Sequence, residues 1–152
     1  MKALNENMYL EKVFYIKTKK IEDTALEEKL AEALLELCKS LVSHKQAYHS
    51  FAFLEEAIFL FINEIKAYQI INFLQSHGVL ISYNEITTEV LMGRMSSLDF
   101  QKTFLEDDEF KHVLERFLIE NLTVDIVLDK INEKGIGSLH EIDYMVLGSS
   151  ND

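Results

Sequence analysis

Apolar positions repeat along the chain in more than one rhythm. Val13-Phe14-Tyr15-Ile16 is short, β-branched and aromatic, and predicts a strand. Leu26, Leu30, Ala33, Leu34, Leu37 and Leu41 recur at steps of three and four, which predicts an amphipathic helix. Its start is marked by Thr24-Ala25-Leu26-Glu27, the spacing of a capping box. A polar stretch from Ser43 to Ser50 predicts a turn. From Phe51 to Ser76 the apolar residues leave no polar face, which predicts a long helix covered on every side, ending at His77-Gly78. Val79 to Tyr83 predicts a second short strand, and Asn84 would cap a brief helix ending near Gly93. Ser97 and Asp107-Asp108 open further helical segments, the latter with acids placed against the positive end of the helix dipole.

These elements predict a mainly α (α+β) protein: a helical bundle with a long central buried helix and a minor two-strand element. A buried helix apolar all round and two strands short of partners also lead us to expect a second copy of the chain, a homodimer.

Near the end, Asp125-Ile126-Val127-Leu128-Asp129-Lys130-Ile131, then Gly135, Ser138-Leu139 and Leu147, resembles a short helix–loop–helix segment found at the C-terminus of various bacterial, largely uncharacterised proteins. His140 stands where that pattern has Thr, and Asp143-Tyr144 where it has Glu-Lys. The resemblance implies a docking element without catalytic activity, packed through Leu128, Ile131, Leu139, Ile142 and Leu147. Ser138-Leu139-His140-Glu141 fits a capping box for its second helix. The expected organisation is a helical core domain over 1–122, the docking element over 123–148 and a disordered tail over 149–152.

Composition sharpens the picture. There is no Pro and only 5 Gly among 152 residues, which removes collagen-like repeats, Pro/Gly linkers and a turn-dense β-sandwich. The formal net charge of −11 opposes direct binding to nucleic acid or to anionic lipid. The charge is uneven: residues 1–20 hold 5 lysines against 2 acids, a local +3, while the rest holds 10 basic and 24 acidic residues, or −14. With a single cysteine, no signal-like apolar run at the start and no apolar stretch near the roughly 20 residues of a membrane span, the expected location is the cytoplasm.

Candidate chemistry is sparse. Glu109-Phe110-Lys111-His112 has the Glu-x-x-His spacing of di-iron bundles, but no second copy accompanies it. His44 and His49, with Glu55 or Glu56, fall short of a compact zinc set. Gly135-Ile136-Gly137-Ser138 follows a helix rather than a strand and lacks a Gly-Lys-Ser/Thr ending. Cys38 falls on an apolar stripe, where a thiol stays inert.

No catalytic residue, cofactor or metal is therefore expected. The reading that follows is a non-enzymatic acidic protein–protein interaction or regulatory protein that self-associates, including the inhibitor or immunity kind that neutralises a basic partner. Its contacts are expected from the acidic row Glu28, Glu32 and Glu36 and from Lys17, Lys19 and Lys20 in the basic N-terminal segment. The alternative is a small-ligand or metal-binding helical protein using Glu109 and His112.

Overall fold

A computed structural model describes residues 10–38, 40–43, 46–54, 56–94 and 106–150. Strand β1 (Glu11–Thr18) forms where the β-branched and aromatic run requires it. Helix α1 (Thr24–Leu37) follows, with Asp23 as its N-cap: the carboxylate accepts from the Ala25 N–H at 3.0 Å. The helix thus begins with Thr24 inside its first turn, one residue earlier than a Thr24 cap implies.

Next come β2 (Ser40–Ser43) and β3 (Gln46–His49), an antiparallel hairpin in place of the expected turn, and then β4 (Phe51–Leu54) and β5 (Ala57–Asn63). Helix α2 (Glu64–Ser76) starts where β5 ends, with Asn63 accepting from the Lys66 N–H at 2.9 Å. Gly78, at φ 69°, takes the left-handed conformation that closes this helix and leads into β6 (Leu80–Glu85). Helix α3 (Thr87–Leu91) is brief; α4 (Asp108–Asn121), α5 (Val124–Lys134) and α6 (Glu141–Ser150) complete the chain. Asp107 caps α4 as its acidic start implied, accepting from the Phe110 N–H at 2.8 Å.

The strands β4-β5-β1-β6 form one antiparallel sheet in that order. Tyr15 pairs with Phe59 and Phe14 with Leu60, so side chains alternate between two covered faces. On one face Val13, Tyr15, Phe59 and Phe61 pack against Val90 of α3 and against Phe110, Val113 and Phe117 of α4. On the other, Phe14, Ile16, Ile58, Leu60 and Ile62 pack against Leu30 and Leu34 of α1 and against Ile70 and Leu74 of α2. The result is three layers, helix on sheet on helix, with a core on each side of the sheet.

This corrects the expected architecture. The long central buried helix over Phe51–Ser76 is two strands followed by a helix, and the sheet has four strands rather than two. The physical reason lies in the covering. A strand buried on both faces needs apolar side chains at every position, so it loses the alternation that marks a half-exposed strand and resembles a buried helix. Ala57, Phe59 and Phe61 serve one core while Ile58, Leu60 and Ile62 serve the other. Of the features that led us to expect a second copy, β1 is paired along both edges and the apolar run is covered by the chain's own helices, whereas β6 stands at the edge of the sheet, paired with β1.

In the C-terminal segment α5 is followed by a 3-10 turn and α6, with Thr123 Oγ1 accepting from the Ile126 N–H at 3.3 Å to start α5. Of the side chains expected to pack, Ile131, Leu139, Ile142 and Leu147 are half-buried. Val127 and Lys130 face inward and Leu128 is 46% exposed. Ser138 does not cap α6; its Oγ donates to Gly135 O at 2.7 Å and closes a 3-10 turn over Ile136–Ser138. The capping role falls to Asp143, which accepts from the His140 N–H at 2.8 Å. Helix α6 extends through Ser150, past residue 149 where a tail was expected.

Candidate functional site

Helix α1 carries the acidic row, and its geometry joins that row to an apolar groove. At 100° per residue, Leu30, Leu34 and Leu37 turn toward the sheet, while Glu28, Glu32 and Glu36 lie on the opposite side and are exposed. Between the two sides runs the row Glu27, Ala31 and Leu35. Leu35, within about 20° of Glu28 on this wheel, is 51% exposed. That row forms one wall of a groove of about 180 Å³, with Phe51 and Phe53 of edge strand β4 on the other side and Leu30 and Leu34 beneath. Glu27 lines this cleft at the edge of the sheet, while Glu28 stands next to Leu35 on the wheel and Glu32 and Glu36 lie about 60° and about 100° further round. Behind the cleft, Cys38 is buried, and desolvation pushes its thiol up to about 12 against the opposing effects of a Ser50 hydrogen bond and the Lys66 charge.

The basic residues are distributed differently. Lys17 is half-buried in β1 and its Nζ lies 5.9 Å from the centre of the Tyr15 ring; Lys19 and Lys20 are exposed in the connection to α1. Lys12, in the same strand, is taken up within the fold by Glu64 at 3.0 Å and Glu85 at 3.7 Å. The hydrogen bond to Glu64, helped by the nearby carboxylate charges and opposed by burial, holds the Lys12 ammonium above its ordinary range. Part of the N-terminal positive charge is thus matched by the acidic body of the same chain.

Glu109 and His112 are both exposed on α4. Among the described residues no group of three or more His, Cys, Asp or Glu side chains converges as a metal-binding set. His44 and the side chain of His49 lie outside the described residues, as does the helix expected from Ser97. Gly135 to Ser138 forms the 3-10 turn rather than a phosphate-binding loop.

A second concavity, which sequence reasoning missed, lies where α3, α4, α5 and α6 meet. It has a volume of about 390 Å³ and apolar walls from Val90, Leu114, Leu118, Leu122 and Ile142. Lys130 and Asp143 also line it, with Lys130 Nζ donating to Asp143 Oδ1 at 2.7 Å. Their side chains are 7% and 2% exposed. The signal for this pair was local. Lys130 follows Val127 by three residues on an otherwise apolar stripe, and Asp143 sits three residues after His140, where a carboxylate reaches back to a helix start.

Comparison with known protein families, with curated proteins and with solved structures finds no match to this chain. Among the described residues no helix is long and apolar enough to cross a membrane.

Proposed function

We propose that this chain is a non-catalytic binding protein that docks a basic amphipathic partner segment on helix α1, in the manner of an inhibitor or regulator. One observation carries the reading: the exposed row Glu28, Glu32 and Glu36 is continuous, through Leu35, with the groove between α1 and β4. A partner helix with one apolar and one cationic face would bury its apolar side against Leu35, Phe51 and Phe53 and set its cations along the carboxylates. The overall charge of −11 would steer such a partner toward the surface and repel acidic competitors. The reading needs one copy of the chain, and places the contact on α1 rather than on Lys17, Lys19 and Lys20.

The test is a titration of the protein with a cationic amphipathic helical peptide built from Leu and Lys, followed by fluorescence anisotropy. Binding is expected to weaken about tenfold, near 1.4 kcal/mol, in Glu28→Lys/Glu32→Lys/Glu36→Lys. It is also expected to fall steeply as salt shortens the Debye length toward about 3 Å. Equal affinity for the wild type and this variant would overturn the reading.

A further inference from the structure

We propose that the cavity between α3, α4, α5 and α6 is a small-molecule site for an uncharged ligand with an apolar body and a single carbonyl-type acceptor, received by Lys130. Its volume of about 390 Å³ falls within the range of small-ligand pockets, about 300–1,000 Å³, and its walls are apolar with few polar groups, as such pockets are.

The polar groups specify what the ligand carries. The Asp143 carboxylate is already engaged on both oxygens: Oδ1 accepts from Lys130, and Oδ2 accepts from the His140 N–H at 2.8 Å. His140 Nδ1 stands 3.8 Å from Oδ2 as well. The ammonium of Lys130 has three N–H donors and gives one of them to Asp143. Buried donors favour a partner, so among the described residues the site has donors to spare and its acceptor is taken up.

Charge decides the rest. Lys130 and Asp143 compensate one another, so a neutral ligand leaves the balance undisturbed. A carboxylate would set a second anion beside Asp143, and an ammonium would meet Lys130. Gly93, at φ 70°, lies alongside: a Cβ there would come within 3.9 Å of Lys130 Nζ.

Three probes with one chain and different heads test this: octanamide, octanoate and octylammonium. Each is titrated into the full chain with affinity read by calorimetry and location by the methyl resonances of Val90, Leu114 and Leu118. Octanamide is expected to shift those methyls and to bind about tenfold more tightly than either charged probe. Lys130→Met/Asp143→Leu, which exchanges the pair for apolar side chains of similar volume, is expected to fold and to lose that head-group preference.

Absence of methyl shifts with octanamide, equal or tighter binding of either charged probe, or a preference retained in the double variant would each overturn the proposal. Should the double variant fail to fold, the comparison of heads on the unaltered protein decides alone. The outcome is independent of the α1 groove, which lies on the other helical layer.

Discussion

Lys130 Nζ and Asp143 Oδ1 stand 2.7 Å apart between α5 and α6, with almost no exposure of either side chain. A buried pair of this kind resists the loss of one partner more than the loss of both, because a single deletion leaves an uncompensated charge. Asp143→Ala also removes the acceptor for the His140 N–H at the start of α6. Its expected cost is about 3–5 kcal/mol, read as a shift of the urea midpoint. Lys130→Met/Asp143→Leu is expected to recover most of that cost.

Phe59 bridges the sheet and α4: its ring lies 4.8 Å from those of both Tyr15 and Phe110. Phe59→Ala is expected to destabilise the fold by about 3–5 kcal/mol, the cost of a large cavity in a close-packed core. Leu35→Ala, on an exposed wall of the groove, is expected to stay within about 0.5 kcal/mol. Denaturant unfolding of the two variants separates a core residue from a surface one that sequence pattern alone grades alike.

Burial raises the folded-state pKa of Cys38 from an ordinary 9.0 to about 12. A thiol with a raised folded pKa leaves stability intact below pH 9. Above that, the unfolded chain ionises first, and stability is lost progressively until pH passes the folded value. Cys38→Ala is expected to remove this part of the alkaline decline in unfolding free energy. The folded thiol should also react with iodoacetamide far more slowly than the urea-unfolded thiol; comparable rates would contradict its burial.

Lys12 has its pKa raised chiefly by the hydrogen bond to Glu64, with the charges of Glu85 and Glu64 contributing. Its stabilisation is present below the ordinary lysine value of 10.5 and is lost as pH rises through the higher folded value. All three side chains retain solvent contact, so Lys12→Met is expected to cost at most about 1 kcal/mol and less at high salt. Measuring it in a Cys38→Ala background separates the two alkaline effects.

The elements with a polar face were legible in the sequence. Val13 to Ile16 marked β1, the three-and-four spacing marked α1, Asp107-Asp108 marked α4, and His77-Gly78 closed α2 at the expected place. The region from Phe51 to Asn63 was not, because burial on two faces erases the period that distinguishes strand from helix. Chain punctuation was also missing. With no Pro and few Gly, the change from β5 to α2 is signalled only by Asn63-Glu64, an N-cap followed by an acid. The acidic row on α1 was readable as an exposed face. The groove beside it was not, since Phe51 and Phe53 reach it only through the pairing of β4 with β5. Lys130 and Asp143 were hidden by the opposite prejudice, that charged residues belong outside.

Backbone amide shift mapping with the cationic Leu/Lys peptide tests the docking reading most directly. Shifts concentrated on α1 from Glu27 to Glu36 and on Phe51 to Phe53 of β4, and abolished by charge reversal at Glu28, Glu32 and Glu36, are the expected result. Shifts spread over the surface, or centred on another face of the sheet and unchanged in that variant, would contradict the claim that α1 and its groove form the binding surface.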